Sequence, residues 1–213
     1  MAQLNFWSHL PTEASQIIEK NTHVKYYKKG SIIYASGEKP IGIYFVKDGL
    51  VGLVTTSSKG SEHLLRLFAK NNFFGHRALF ANESYYGSAI CLEHSEIGMV
   101  PSRVVEEILK TFPQASRLVI ATLAKELGLA ETQRLKIADE EVLKRLASSI
   151  LYLKEIHPHH KWTRSEIANF CASTGPTIIR GLAALEDLGL ISQQGRDIEI
   201  LSRPKLIQFA QDQ

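Results

Sequence analysis

The chain has 213 residues, 44% of them apolar, and a formal net charge of +3. That length accommodates one large or two modest packed cores without covalent staples, and its two cysteines, Cys91 and Cys171, form no C-x-x-C pair, which excludes a disulfide framework, a zinc ribbon and a four-thiolate iron–sulfur cluster. The N-terminus has no basic segment leading into a long apolar core, no run reaches the roughly 18 apolar residues of a membrane span, and so slight a charge selects no partner by itself; the expectation is a soluble cytoplasmic protein with no membrane partner.

From about residue 24 to 100 short β-branched and aromatic runs alternate with glycine turns, from "HVKYYKKG", "SIIYASGEKP" and "IGIYFVKDG" to "YGSAICLEHSEIGMV". Such spacing predicts an antiparallel sandwich or jelly roll, with hairpin turns at Asp48-Gly49 and Lys59-Gly60. The period then changes. Ser116, Ile120, Leu123, Leu127, Ala130, Arg134 and Ile137 follow one another at alternating steps of four and three, the spacing of a coiled-coil seam. Ile120, Leu123, Leu127, Ala130 and Ile137 are expected to pack on a second copy of the chain; the alternative is a stripe docked on the barrel. Gly128 weakens this helix by about 1 kcal/mol relative to alanine and marks a bend or close approach. A second helix over about 139–155 leads into "EIHPHHKW". His157, His159 and His160 have no carboxylate or thiolate at ligand spacing there, so they are read as loop residues, and no metal site is expected.

"WTRSEIANFCASTGPTIIRGLAALEDLGLISQQGRDIEIL" is the most informative stretch. Thr163 with Glu166 three residues later forms a capping box that opens a short helix through about Cys171, and the small Ala168 and Ala172 let a second helix cross close by. Thr174 caps that second helix, whose first turn tolerates Pro176. Ile178, Leu182 and Leu185 share its core face; Thr177, Arg180 and Ala184 share the opposite face, with Gly175 and Pro176 at the tip. This suits a recognition helix entering a major groove by its N-terminal end. Strand, turn at Gln194-Gly195-Arg196 and strand then form a wing. Residues 139–213 hold nine Lys or Arg against ten Asp or Glu, so distribution must carry the electrostatic argument. Lys161, Arg164, Arg180 and Arg196 are expected near the groove side, while the hydroxyls of Thr163, Ser173 and Thr174 and the helix N-termini suit phosphates.

This order of parts resembles the Crp/Fnr family of bacterial transcription regulators over nearly the whole chain, most specifically in "TRSEIANF", "TIIRGLAALEDLGLI", the wing, "GSIIYASGE", "IYFVKDGLV" and "FFGHRALF". The resemblance implies an α+β fold: an N-terminal jelly-roll β-barrel, a long dimerisation helix and a C-terminal winged helix-turn-helix. The expected division is a cyclic-nucleotide-binding-like sensor domain over 1–112, the dimer helix over 113–138 and a DNA-binding domain over 139–213. Also implied are a homodimer on a two-fold symmetric site in double-stranded DNA and contact with RNA polymerase. The family's early base readers align with Gly175 and Pro176, so Arg180 alone retains a strong reading group, able to bind a guanine bidentately. The expected DNA-binding set is Thr163, Arg164, Ser173, Thr174, Gly175, Pro176, Thr177, Arg180 and Arg196.

Family members that bind cyclic AMP resemble one another in a Gly-Glu pair and, about ten residues on, an Arg followed by Ser or Thr and Ala. The chain has Gly75-His76 at the first place and Gly87-Ser88-Ala89 at the second, and no arginine anywhere from Ala78 to Ser102. A phosphate without that partner forfeits a charge-assisted hydrogen bond worth roughly 1.5 to 3 kcal/mol, and the residues meeting adenine in such members align with Ala130 and Glu131. Cyclic AMP is therefore not expected to bind in the family's usual way. The candidate effector pocket comprises Gly75, His76, Arg77, Tyr85, Tyr86, Gly87, Ser88, Ala130 and Glu131. His76 and Arg77 offer a cationic start and Tyr85 and Tyr86 stacking faces for an acid, another nucleotide or a haem; alternatively they only cap and pack the turn, leaving the protein constitutively active. The effector is left unknown. A metal-dependent enzyme on a cupin-like barrel is the rival from another class, but His63, His76 and His94 are scattered and form no H-x-H pair, so no catalysis is expected. The remaining alternative is a sensor and dimerisation module whose helix-turn-helix region contacts protein rather than DNA.

Overall fold

A computed structural model describes residues 10–211. In chain order the elements are helix α1 (Thr12–Lys20), strands β1 (His23–Tyr27), β2 (Ile32–Tyr34), β3 (Gly42–Asp48), β4 (Val51–Thr56), β5 (Glu62–Phe68) and β6 (Phe73–Phe74), helix α2 (His76–Ala81), strands β7 (Ser88–Cys91) and β8 (Ser95–Pro101), helices α3 (Ser102–Thr111), α4 (Pro113–Asp139), α5 (Val142–Ile156), α6 (Arg164–Phe170) and α7 (Gly175–Asp187), strands β9 (Ile191–Gln194) and β10 (Asp197–Ile200), and helix α8 (Arg203–Gln211). They fall into two compact units, the first built essentially from residues up to Gly128 and the second from Leu129 onward.

The first unit is a jelly roll of two four-stranded sheets, β1-β8-β3-β6 and β2-β7-β4-β5. Side chains alternate across β3 with the period of two that a strand imposes. Tyr44 and Val46 point into the sandwich with Phe74, Phe68 and Ile97, while Ile43 joins Phe73, Val100, Val104, Ile108 and Val119 in a second layer that includes Ala14 and Ile18 of α1. Apolar residues on both faces explain why β3 reads as a continuous apolar run rather than an alternating one. The Asp48-Gly49 turn forms as the dipeptide predicts: Gly49 has φ +93°, and a Cβ there would stand 2.6 Å from the His94 carbonyl oxygen.

Two boundaries differ from the sequence reading. "YGSAICLEHSEIGMV" contains two strands, β7 and β8, parted by Leu92–His94, and a separate amphipathic helix, α3, precedes the long one. Pro113 opens α4, where a missing N–H costs nothing because first-turn donors have no partner within the helix. Helix α4 runs 27 residues, and a side chain at Gly128 would meet nothing within 4 Å, so no close approach within the described chain explains that glycine.

In the second unit Leu146, Ile150 and Leu153 of α5, Ile167 of α6, Ile178, Leu182 and Leu185 of α7 and Ile191 of β9 are each at most 2% exposed. Arg145 lies among them, its Nε donating to the Cys171 carbonyl at 2.9 Å and Nη1 to the Glu140 carbonyl at 2.8 Å. It thus satisfies two backbone acceptors at the ends of neighbouring elements.

Candidate DNA-binding surface and effector pocket

The helix-turn-helix is α6 and α7. Thr163 makes the capping box in full: its hydroxyl accepts from the Glu166 N–H at 3.1 Å and donates to the Glu166 carboxylate at 2.9 Å, and the Thr163 N–H donates to the same carboxylate at 2.7 Å. Burial alone would raise the Glu166 carboxyl, but hydrogen bonds from His160 and Thr163 outweigh it and hold it below its ordinary value. His160 is therefore more than a linker residue. It is 4% exposed, with its Nε2 3.4 Å from Glu166 and its ring edge-on to Trp162. Among the described residues no group of three or more His, Cys, Asp or Glu is arranged to hold a metal ion. Cys171 is buried and free, its thiol pushed up to about 11 by burial.

Thr174 caps α7, accepting from the Thr177 N–H, and its Oγ1 lies 2.9 Å from the Thr177 hydroxyl. Gly175 and Pro176 form the first turn beyond that cap, and Ser173 sits half-buried in the preceding turn. Arg180 and Arg196, on the outward face of α7 and at the tip of the wing, are exposed and have no hydrogen-bond or ion-pair partner among the described residues. Arg164 differs. Its Nη2 donates to the Gln193 side-chain oxygen at 2.7 Å and to the Gly195 carbonyl at 3.0 Å, and Gln193 in turn donates to Glu186 from both its backbone and its side chain. Arg164 thus fastens the start of α6 to the wing, and Glu186 completes the tie from the end of α7. Arg164→Ala removes both bonds, and because the Gly195 carbonyl is exposed and Gln193 half-buried, so that water can take the place of the guanidinium, the cost to the second unit is about 1 kcal/mol. Expected are faster amide exchange at Gly195 and Arg196 and DNA binding weakened alike for all sequences; amide exchange unchanged from wild type would show that the tie does not hold the wing.

Of the effector set, Tyr85 belongs to the barrel core, and a Cβ on Gly75 would lie 3.6 Å from its hydroxyl. The Tyr34 and Tyr85 rings stack at 3.6 Å between centroids and 12° between planes, with Tyr44, Phe74 and Phe68 in ring contact beside them. All five are at most 7% exposed. Burial, then the neighbouring Tyr44 and Tyr34, push the Tyr85 hydroxyl up and keep it neutral. The loop that follows is zipped to the β2–β3 connection: the Gly37 N–H donates to the Tyr85 carbonyl at 2.8 Å, the Ser36 hydroxyl to the Tyr86 carbonyl at 3.0 Å, and the Ser36 N–H to the Ser88 hydroxyl at 3.0 Å. A Cβ on Gly87 would lie 2.7 Å from the Val54 carbonyl oxygen, so a side chain there needs the backbone to move. Gly75 caps α2 in the left-handed region at φ +84°, while Tyr86, Ala130 and Glu131 are exposed.

Neither His76 nor Arg77 is free. Arg77 pairs with Glu83 at 2.9 Å on the surface. His76 is 2% exposed, with its Nε2 2.9 Å from Glu126 of α4, and Arg66 of β5 grips the same carboxylate through both its terminal nitrogens, at 2.9 and 2.5 Å. Burial alone would raise the Glu126 carboxyl; the hydrogen bonds and charges of His76 and Arg66 outweigh it and hold it at about 2. Sequence reasoning missed Glu126, whose partners lie 50 and 60 residues away; an acid flanking the apolar seam was the one signal, and Glu131 gives the same one. On the seam, Ile120 and Leu127 are 66% and 62% exposed, Ile137 and Ala130 are also exposed, and Leu123 is half-buried.

A jelly-roll sensor, a long helix with an apolar stripe and a winged helix-turn-helix define the class of ligand-responsive or constitutive DNA-binding regulators. The comparisons agree. The cyclic nucleotide-binding domain pattern matches residues 24–112 and the Crp-like helix-turn-helix domain pattern residues 144–209. The chain is 30% identical to the cAMP-activated global transcriptional regulator CRP of Pasteurella multocida, covering 83% of this chain and 88% of that one. Among solved structures, FixK2 of Bradyrhizobium japonicum has the same fold at TM-score 0.80 and 22% identity, covering 88% and 96% of the two chains. The c-di-GMP-responsive global regulator CLP of Xanthomonas campestris shares it at TM-score 0.76 and 18% identity, covering 90% and 100%. The chain belongs to the Crp/Fnr family of DNA-binding transcription regulators, whose members act as dimers. No helix among the described residues is long and apolar enough to cross a membrane.

Proposed function

We propose that the protein is a homodimeric transcription regulator that sets α7 of each subunit into the major groove of a two-fold symmetric operator, contacts RNA polymerase there, and binds DNA without cyclic AMP. What supports the reading is how the candidate pocket residues are engaged: Tyr34 stacked on Tyr85, the 85–88 loop zipped to Ser36 and Gly37, and His76 in contact with Glu126. The relative named for cyclic AMP and the structural neighbour named for c-di-GMP share one fold, so the fold alone selects no effector. Self-association is supported by the exposed stripe around Ile120 and Leu127, each such leucine or isoleucine gaining about 1.5 to 3 kcal/mol when fully buried.

The test is fluorescence anisotropy of the ligand-free protein on DNA selected from its genome, repeated with saturating cyclic AMP and over a range of salt. Expected are tight, sequence-dependent binding, no change with the nucleotide, and affinity that falls steeply with salt as counterions are released. Affinity that appears only with cyclic AMP would falsify this reading of the pocket, and absent or salt-insensitive binding would favour a helix-turn-helix that contacts protein. Leu127→Glu places a charge in the stripe without touching a buried site. It is expected to give a monomer by sedimentation and to lose the avidity of the second half-site; a dimer that persists would move the interface elsewhere.

A further inference from the structure

The outward face of α7 is apolar around its single cation. Ile179 is 56% exposed although it stands beside residues of zero exposure, Ile178 among them. Helical spacing puts Pro176, Ile179, Arg180 and Ala183 on one continuous surface, away from the core stripe of Ile178, Leu182 and Leu185. All four are exposed, and none but Arg180 carries a side-chain hydrogen-bonding group. Thr177, the nearest hydroxyl, lies 2.9 Å from Thr174 within the cap.

A DNA-reading face normally presents hydrogen-bonding groups, and an aliphatic branch 56% exposed beside the reading arginine is only partly used by the fold. In the major groove thymine alone adds an apolar group, its C5-methyl beside the O4 acceptor, whereas the other bases show donors and acceptors at their edges. We infer that Ile179 reads thymine, its side chain closing over the C5-methyl of a base adjacent to the guanine held by Arg180, with Pro176 extending the apolar contact toward the N-terminal tip. The half-site selected by this protein then contains a guanine flanked by thymine, and specificity comes from one bidentate contact and one methyl contact per subunit. This rests on α7 being the helix that enters the groove. The same geometry compensates for Gly175 and Pro176, which hold no polar reader.

The experiment uses the full-length protein and duplexes it selects from a randomised library. Each thymine of the selected half-site is replaced in turn by deoxyuridine, which removes one methyl group and nothing else, and the guanine by 7-deazaguanine, which removes an acceptor. Uracil at the position next to the guanine is expected to weaken binding about four-fold per half-site, the roughly 0.8 kcal/mol of one buried methyl converted at 1.4 kcal/mol per factor of ten, and about fifteen-fold when both half-sites carry it. Ile179→Ala is expected to bind the thymine and uracil duplexes alike while still discriminating guanine from 7-deazaguanine, which shows that the helix remains folded and docked. Selected sites without a thymine beside the guanine, wild-type affinity indifferent to uracil at every position, or an Ile179→Ala variant that keeps the thymine preference would each overturn the inference and leave DNA binding intact. A wild-type protein with no sequence preference at all would instead sink the reading of α7 as a DNA reader, and it would do so before any base was changed.

Discussion

Arg180→Ala is expected to collapse the preference of the protein for its operator over scrambled DNA by about thirty-fold to twenty-thousand-fold, because each subunit loses one bidentate guanine contact worth about 1 to 3 kcal/mol of discrimination. The size of the effect follows from how little else on α7 can read a base. Pro176 has neither a side-chain donor nor a backbone N–H, the Thr177 N–H is bound to the Thr174 cap, and the Glu186 carboxylate is occupied by Gln193. Arg164, the other cation of the helix-turn-helix, is engaged with Gln193 and Gly195. Arg180→Lys separates charge from geometry. A lysine keeps the point charge and the attraction to phosphate but lacks the planar fork, so it should restore non-specific affinity and not the operator preference. The measurement is the ratio of dissociation constants on selected and scrambled duplexes at fixed salt. Equal losses on both, with the ratio preserved, would make Arg180 a phosphate contact and would leave specificity to the shape of the DNA.

What the sequence made legible was local. Short β-branched and aromatic runs between glycine turns located β1 to β5, Asp48-Gly49 set a turn because only glycine fits against the His94 carbonyl, and Thr163 with Glu166 marked the start of α6 within a residue. Each of these signals is complete within a few neighbouring residues. The split of "YGSAICLEHSEIGMV" into β7 and β8 was not legible, since Leu92–His94 contain neither glycine nor proline. The same holds for the roles of charged side chains whose partners are remote. Arg164 looks like a free cation until the wing folds back onto it, and His160 looks like a linker histidine until Glu166 comes within 3.4 Å. The effector pocket is the sharpest case. The missing arginine was visible in the sequence, but the Tyr34 ring that stacks on Tyr85 comes from a strand some fifty residues earlier, and no local pattern pairs them.

Glu126→Gln tests the buried charge cluster of the first unit. In the wild type the buried carboxylate receives Arg66 and His76 together, and losing one member of such a cluster leaves the others without their partner, a loss of roughly 3 kcal/mol. Linkage gives the same magnitude and adds a sign. The folded state holds the Glu126 carboxyl at about 2 against an ordinary 4.5, so folding favours its ionised form, and the stabilisation is fully present above the unfolded value. It is lost as pH falls toward the folded value. At about 1.4 kcal/mol per unit the contribution is roughly 3 kcal/mol at neutral pH, constant down to about pH 5.5, and about half of that near pH 3. The stability difference between wild type and Glu126→Gln, from denaturant titrations at a series of pH values, should therefore be flat from pH 7 to about 5.5 and shrink below. A difference that instead grew on acidification, or was absent at pH 7, would mean that the carboxylate is not ionised in the folded protein. Because Glu126 precedes Leu127 on α4, the same variant reports on function: if the tie to Arg66 and His76 holds this helix in its DNA-ready setting, operator affinity falls with the charge removed while the guanine preference set by Arg180 persists.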